Sequence, residues 1–352
     1  LFHLPREKFV SGPARINALC EIAATGKRTK ILNDNIPGTS KLPFECMISD
    51  EQLPGQAIAA YGDMHIHSVY SQSHVEFGPP IRAISELTHA HGLDFFVLTD
   101  HSYDLSCTLD AYLEEDRNLS RWKACKKEYC EIDNAPNIMV LGEEVSCLNH
   151  AGKTVHLLAV NTGEFIPGSA DGARSRLLYK NMLSIPQAIR EIHSQGGLAF
   201  AAHPGSASGM IQRLFLRRGR WNSRDIHDDI NGLQACNGCF DARWEKAKTL
   251  WIKELLKGRQ IPLVAGNDAH GDFNRYRAIG FPFLSVSESP HRYAGYAKTG
   301  IYGNSRHRSD VVAQLSAGAT FITTGPYMEL STSHCPGTSL VGQTLAGTRP
   351  EK

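Results

Sequence analysis

Six stretches of this chain carry histidines or carboxylates at spacings that suit metal ligation. Asp63-Met-His65-Ile-His67 and Asn267-Asp268-Ala-His270 each place two donors at i, i+2, the repeat that puts strand side chains on one face. Asp100-His101, Gly142-Glu143-Glu144, His156 and His203-Pro204 supply the others. A lone histidine near a strand end is ordinarily a hydrogen-bonded core residue. Six such stretches together point instead to a site for two or three divalent ions. Neutral imidazole and carboxylate suit Zn²⁺, Mn²⁺ or Fe²⁺, whereas a Mg²⁺ or Ca²⁺ site would be richer in oxygen donors.

Something must bring these donors together, and the apolar periodicity suggests what. Strand signals fall at residues 58–67, 94–99, 138–141, 154–160, 198–202, 230–236, 261–266 and 320–324. Helical signals fall at 80–91, 110–131, 185–195, 243–257 and 309–317. Repeated βα units at this spacing predict an α/β fold with a parallel sheet, open or closed into a barrel. Most of these strands end in one of the donors or lie close to one, and the C-terminal strand ends are where a βα barrel builds its site. Residues 1–57 read as an N-terminal extension, 58–330 as the domain that carries the site, and 331–352 as a C-terminal tail.

Composition narrows the function. Hydrophobic residues make up 41% and charged residues 21% of the 352, as in a globular protein with a sizeable core. Lys and Arg number 37 against 36 Asp and Glu, a balance that gives no general field for gripping a long nucleic acid but leaves room for a small anionic substrate. Nine scattered cysteines fit reduced thiols and a cytoplasmic location better than a disulfide framework. The single CxxC, Cys236-Asn-Gly-Cys239, lacks the second pair that a zinc ribbon needs and reads as core thiols. No run of 18 apolar residues predicts a membrane span. The chain begins at Leu1 rather than Met, which is compatible with a removed leader. Neither a GxSxG elbow nor a GxxxxGK[ST] loop is present, which argues against serine chemistry and ATP-driven reactions.

The order of the pieces GDMHIHS, LDFFVLTDHS, VLGEEVS, TVHLLAV, AAHPG and AGNDAHGDFN resembles the polymerase and histidinol phosphatase (PHP) family. The resemblance covers about residues 62–274 and extends toward 330. It implies a distorted (β/α)7 TIM-like barrel with up to three metals in its mouth. Carried over by position, His65, His67, Glu144 and Asp268 would hold one metal. Glu144 would bridge to a second, completed by His156 and His203, and His101 and His270 would hold a third. Family members usually add a third-metal ligand just after the HxH pair; here Ser71-Gln-Ser-His74 covers that stretch, and His74 sits a residue or two late. GNDAHGDFNRYR and the later ITTGPYMEL are further similar to the carbaryl hydrolase-like branch, in which a β domain often follows; residues 337–347 look like its opening.

A cation cluster of this kind lowers the pKa of water from about 15.7 to about 7, so that a metal-bridged hydroxide serves as nucleophile and no side chain need do so. Asp63 and Asp100 adjoin the donors and could orient imidazoles or merely cap strands; Asp100 could alternatively protonate a leaving group. Arg275 and Arg277 could fork onto phosphate oxygens, though loop arginines commonly face solvent. The basic run at 213–220 could contact a polyanion but reads better as a solvated helix end. The expected function is a metal-dependent phosphoesterase for a small phosphomonoester or nucleotide. A carbamate, ester or amide hydrolase is the alternative, and a catalytically degenerate PHP module the third reading.

Overall fold

The computed structural model describes residues 5–33, 43–71, 77–111, 114–132, 134–168, 183–206, 217–271, 278–281, 284–287, 292–303 and 305–327. His74, Arg275, Arg277 and the 331–352 tail lie outside them. Strands β1 (Gly12–Ile16), β2 (Leu19–Ala24), β3 (Lys27–Leu32) and β4 (Phe44–Ile48) form two antiparallel ribbons, β1 with β4 and β2 with β3. Thr25 and Gly26, at φ 48° and 78°, make the two-residue turn between β2 and β3, a backbone that matches the twist of a tight hairpin.

The central sheet follows. Strands β5 (Ala59–Ile66), β6 (Phe95–Leu98), β8 (Thr154–Val160), β9 (Leu198–Ala201) and β10 (Gly232–Asn237) are buried at every residue. Covered on both faces, such strands must be largely apolar, and any polar side chain within them must find a partner. With β7 (Ile138–Leu148) and β11 (Leu263–Gly266), they stand in the order β5-β6-β7-β8-β9-β10-β11. The ring closes at one end. Ile66 bridges Ala269, with His67 N–H donating to Ala269 O at 3.1 Å and Ala269 N–H to His65 O at 3.3 Å. Gly266 permits this contact, because a Cβ there would lie 2.6 Å from His65 Cβ. At the other end β14 (Lys298–Tyr302) pairs with the first half of β5 and carries β15 (Thr320–Thr323) on its far side. Thr299 Oγ1 ties β14 to Ala265 of β11 through contacts of 2.7 and 2.8 Å. The result is a distorted seven-stranded barrel. Met64, Phe95, Val97, Leu158, Phe200 and Val264 belong to one fully buried apolar cluster, each contributing about 1.5–3 kcal/mol. A separate short ribbon joins β12 (Ala278–Phe281) to β13 (Leu284–Ser287).

Helices α1 (Ile81–Ala90), α3 (Ser120–Glu131), α4 (Ile185–Ser194), α5 (Ala242–Leu255) and α6 (Arg308–Ala317) are joined by a short helical turn, α2 (Ser102–Leu105). Ile185, Ile189 and Ile192 of α4 enter the largest core cluster. A capping box of Ser184 and Gln187 starts that helix.

Three expectations need correction. The sheet is mixed rather than parallel, since β8 runs antiparallel to both β7 and β9. Only residues 149–153 join β7 to β8, too few for the crossover that parallel strands require. β7 also runs on to Leu148, so that Glu143 and Glu144 lie inside a strand rather than beyond one. The helix expected at 110–131 begins only at Ser120. Asp116 accepts the N–H groups of Asn118 and Ser120, both at 2.8 Å, and Leu119 holds a left-handed φ of 53°, a local turn that competes with helix.

Candidate metal centre

All the described donors converge at the closed end of the barrel. Their ligating atoms form three groups, each within 4.8 Å: His65, His67, Glu144 and Asp268; Glu144, His156 and His203; and His67, His101 and His270. Glu144 belongs to the first two groups and His67 to the first and third, so the three are one continuous cluster. Its members are buried except His203, which is half-buried. His156 reaches the cluster from the start of β8, not from a strand end. Because β8 runs antiparallel, its first residues lie at the same end of the barrel as the last residues of its neighbours.

Glu144 divides its two oxygens. Oε1 lies 2.5 Å from His156 Nδ1 and 3.0 Å from His203 Nε2. Oε2 lies 3.1 Å from His101 Nε2, 3.3 Å from His65 Nε2 and 3.5 Å from His67 Nε2. Strand alternation turns Glu143 the other way, where its Oε1 accepts Ile166 N–H at 2.9 Å. Asp268 is divided in the same manner. Oδ1 lies 3.3 Å from His67 Nε2 and 3.6 Å from His65 Nε2, while Oδ2 accepts from Asn237 Nδ2 at 3.2 Å and from Arg292 Nη1 at 3.0 Å. Asp268 and His203 both hold left-handed backbone, at φ 51° and 32°, strain of about 1–3 kcal/mol each that the surrounding packing must sustain.

Three of the imidazoles are aimed by their outer nitrogens. His65 Nδ1 lies 2.9 Å from Gln234 Oε1, His67 Nδ1 lies 3.0 Å from Ser71 Oγ, and His270 Nδ1 lies 2.9 Å from the Asp268 carbonyl. Anchoring Nδ1 directs the Nε2 lone pair inward, the arrangement that ligating histidines commonly adopt. Electrostatics favours the same forms. Burial and neighbouring His101 push the His67 pKa down to about 4, and burial lowers that of His203. Burial works against ionised Glu144, but His156 and His65 hold its pKa well below the usual carboxylate range. For Asp268 burial is likewise outweighed, by Arg292 and His65. His65 goes the other way: burial would lower it, but Glu144 and Asp268 raise it. A dense set of imidazole nitrogens around two ionised carboxylates suits divalent cations of the Zn²⁺, Mn²⁺ or Fe²⁺ kind.

Asp63 and Asp100 stand beside this cluster, and their hydrogen bonds go elsewhere than to imidazoles. Asp63 accepts from His65 N–H (3.0 Å), Asn267 N–H (3.1 Å), Asn267 Nδ2 (2.6 Å) and Gly295 N–H (3.0 Å). Burial raises its pKa and these bonds oppose the rise. Asp100 accepts from Ser68 N–H (2.7 Å), Ser68 Oγ (2.6 Å) and Ser71 N–H (3.0 Å). Asp63 thus clasps β5 to the end of β11, and Asp100 fixes the turn from which Ser71 meets His67.

Sequence reading missed Gln234, Ser71 and Arg292. Gln234 carried a signal, being an amide inside an apolar strand, whereas Arg292 had none, since it reaches Asp268 from a stretch without periodicity. Among the described residues no helix is long and apolar enough to cross a membrane.

No protein-family model and no curated protein matches the chain. Among solved structures it is similar to a two-domain Bacteroides vulgatus protein containing a predicted PHP-like metal-dependent phosphoesterase, with 17% identity over 79% of this chain and 68% of that one, at a TM-score of 0.47. It is also similar to a lesion-specific endonuclease from Pyrococcus furiosus, with 15% identity over 75% of this chain and 58% of that one, at 0.42. An amidohydrolase from Chromobacterium violaceum is 16% identical over 59% of this chain and 87% of that one, at 0.37. Likeness at this level says nothing of activity.

Proposed function

We propose that this chain is a metal-dependent phosphoesterase of the PHP type, acting on a small phosphomonoester or nucleotide. One observation carries the reading: a buried carboxylate, Glu144, divides its oxygens between two sets of imidazoles, as a group bridging two cations must. His65, His67, Glu144 and Asp268 would hold one ion, Glu144, His156 and His203 a second, and His101 and His270, beside His67, a third. Divalent ions held there would supply an ionised water at neutral pH and neutralise phosphoryl oxygens.

The chain's own residues do the rest. Gln234, Ser71 and the Asp268 carbonyl fix the His65, His67 and His270 imidazoles, so that these need little reorganisation when charge develops on the phosphoryl group. Asp63 and Asp100 are positioning residues that hold the strand ends. Arg292, half-buried on Asp268, adds a fixed cation at the edge of the cluster, which favours an anionic ester over a neutral one.

Metal analysis of the purified protein, with parallel assays on p-nitrophenyl phosphate, its diester and an aryl carbamate or ester, tests this reading. Hydrolysis of the monoester, lost on chelation and restored by Zn²⁺ or Mn²⁺, is the expected result. Hydrolysis of the aryl carbamate or ester alone would replace it with the carbamate, ester or amide reading.

A further inference from the structure

The β2–β3 hairpin leaves both of its faces in solvent. Every residue of β2 is exposed, and so is every residue of β3 except the half-buried Ile31. Among the described residues no third strand joins the pair. A two-stranded ribbon of this kind is marginal in water and gains stability from further strands. Its register places Leu19 with Leu32, Glu21 with Lys30 and Ala23 with Arg28 on one face. Cys20 with Ile31, Ile22 with Thr29 and Ala24 with Lys27 share the other. That second face is apolar but for Thr29 and Lys27, and Ile22 upon it is 46% exposed.

The two edges of the hairpin differ more than its faces. Asn33 N–H donates to Ala18 O at 2.8 Å. Bonded pairs alternate along an antiparallel ladder, so Cys20, Ile22 and Ala24 turn their backbone groups toward β3. Leu19, Glu21 and Ala23 turn theirs outward, as do Arg28, Lys30 and Leu32 on the opposite edge. The β3 edge carries Lys27, Arg28 and Lys30, the cationic guard by which edge strands resist further pairing. The β2 edge has no such guard. Its one charge, Glu21, already meets Lys30 Nζ at 2.8 Å within the hairpin.

We infer that β2 is an association edge whose partner is the β2 of a second copy of this chain, giving a four-stranded sheet in the order β3-β2-β2-β3. An antiparallel pairing centred on Ile22 joins Glu21 to Ala23 of the other copy through their outward N–H and C=O groups. It sets the two Ile22 side chains against each other and makes the apolar faces continuous. Arg28 of each copy then shares a cross-strand row with Glu21 of the other, so the charges are complementary across the axis. Centring on Glu21 would instead oppose two carboxylates. Pairing through β3 about Thr29 would set Arg28 against Lys30, and like charges directly opposite are destabilising. The same patch serves both copies, as a two-fold interface requires.

The test is sedimentation velocity of the full chain across the micromolar range, for wild type, Ala23→Pro, Ile22→Lys and Ala23→Thr, with far-UV circular dichroism of each. Wild type is expected to dimerise. Ala23→Pro removes an outward N–H that the hairpin's own ladder does not use, and Ile22→Lys brings two like charges to the axis. Each should raise the dimer dissociation constant at least about 10-fold with the circular dichroism unchanged. Ala23→Thr keeps the N–H and should remain dimeric. A wild type that stays monomeric throughout overturns the inference. So does a dimer equally tight in Ala23→Pro and Ile22→Lys, which would lie on another surface. Dissociation of Ala23→Thr as readily as Ala23→Pro would overturn the backbone-edge account as well.

Discussion

Gln234 Oε1 lies 2.9 Å from His65 Nδ1 and also accepts the His203 backbone N–H at 3.2 Å. One amide oxygen thus steadies two candidate ligands that come from β5 and from the end of β9. Gln234→Leu should leave both groups without their partner and lower metal affinity about 10- to 100-fold, the usual consequence of losing such support. Competition with a fluorescent chelator would measure it. Unchanged affinity would detach Gln234 from the metal centre.

Glu143 and Glu144 are neighbours in sequence with opposite environments. Burial raises the Glu143 pKa well above the ordinary range, which favours the neutral acid, and Glu143→Gln should change stability by no more than about 1 kcal/mol and leave metal content intact. Glu144→Gln removes the negative charge and replaces one carboxylate oxygen by an amide nitrogen that cannot ligate. Bound metal should fall to at most one ion per chain, with activity down at least about 100-fold. Elemental analysis of the two variants side by side decides, and equal metal content in both would remove Glu144 from the bridging role.

Much of the site was legible because strand periodicity is a local property. The HxH at 65 and 67 announces a shared face without knowledge of the fold, whereas Asp268 and His270 lie beyond the end of β11 and a left-handed Asp268, not strand alternation, brings them to the cluster. The antiparallel β8 was not legible: the apolar signal of the preceding strand ends at 141, which hid the short link after Leu148, and the apolar run Thr154–Val160 looks the same in either direction. The partners of Asp63 were not legible. Alternation alone would send it to the face of His65, but the register against β6 shifts between Asp63 and Ile66, and the carboxylate turns to Asn267 and Gly295. Ser71 and Arg292 acquire their roles only when distant stretches pack together, and no spacing rule encodes that.

Away from the metal centre, Glu254 on α5 offers a pH test. Its fully buried carboxylate accepts from Lys257 Nζ and Arg259 Nη1, each at 2.8 Å, and from Ser223 Oγ. Burial works against the charge, but these partners lower the pKa. A lowered folded-state pKa means that the stabilisation is complete above the unfolded value of about 4.3 and is lost as pH falls through the folded value. Glu254→Gln should therefore cost about 1–3 kcal/mol at pH 7, and urea unfolding should show the gap to wild type narrowing at acid pH. A gap that stayed constant or widened on acidification would contradict the ion-pair account.

Arg292 shares Asp268 with the cluster, its Nη1 on Oδ2 while Oδ1 faces His65 and His67. A guanidinium there draws on the same negative charge that a divalent ion would use, so it weakens the ion's hold while adding positive field for an anionic substrate. Arg292→Gln separates these effects, because the amide can still donate to Oδ2 but carries no charge. Metal affinity should rise a few-fold, since Asp268 keeps more of its charge for the ion. KM for p-nitrophenyl phosphate should rise about 10-fold, the loss of a fixed cation near the phosphoryl group. Salt should weaken substrate binding less in the variant than in wild type, because one screened attraction is gone. A variant whose metal affinity falls together with its substrate affinity would show that Arg292 only buttresses the Asp268 carboxylate, and the opposing signs are what exclude that bland role.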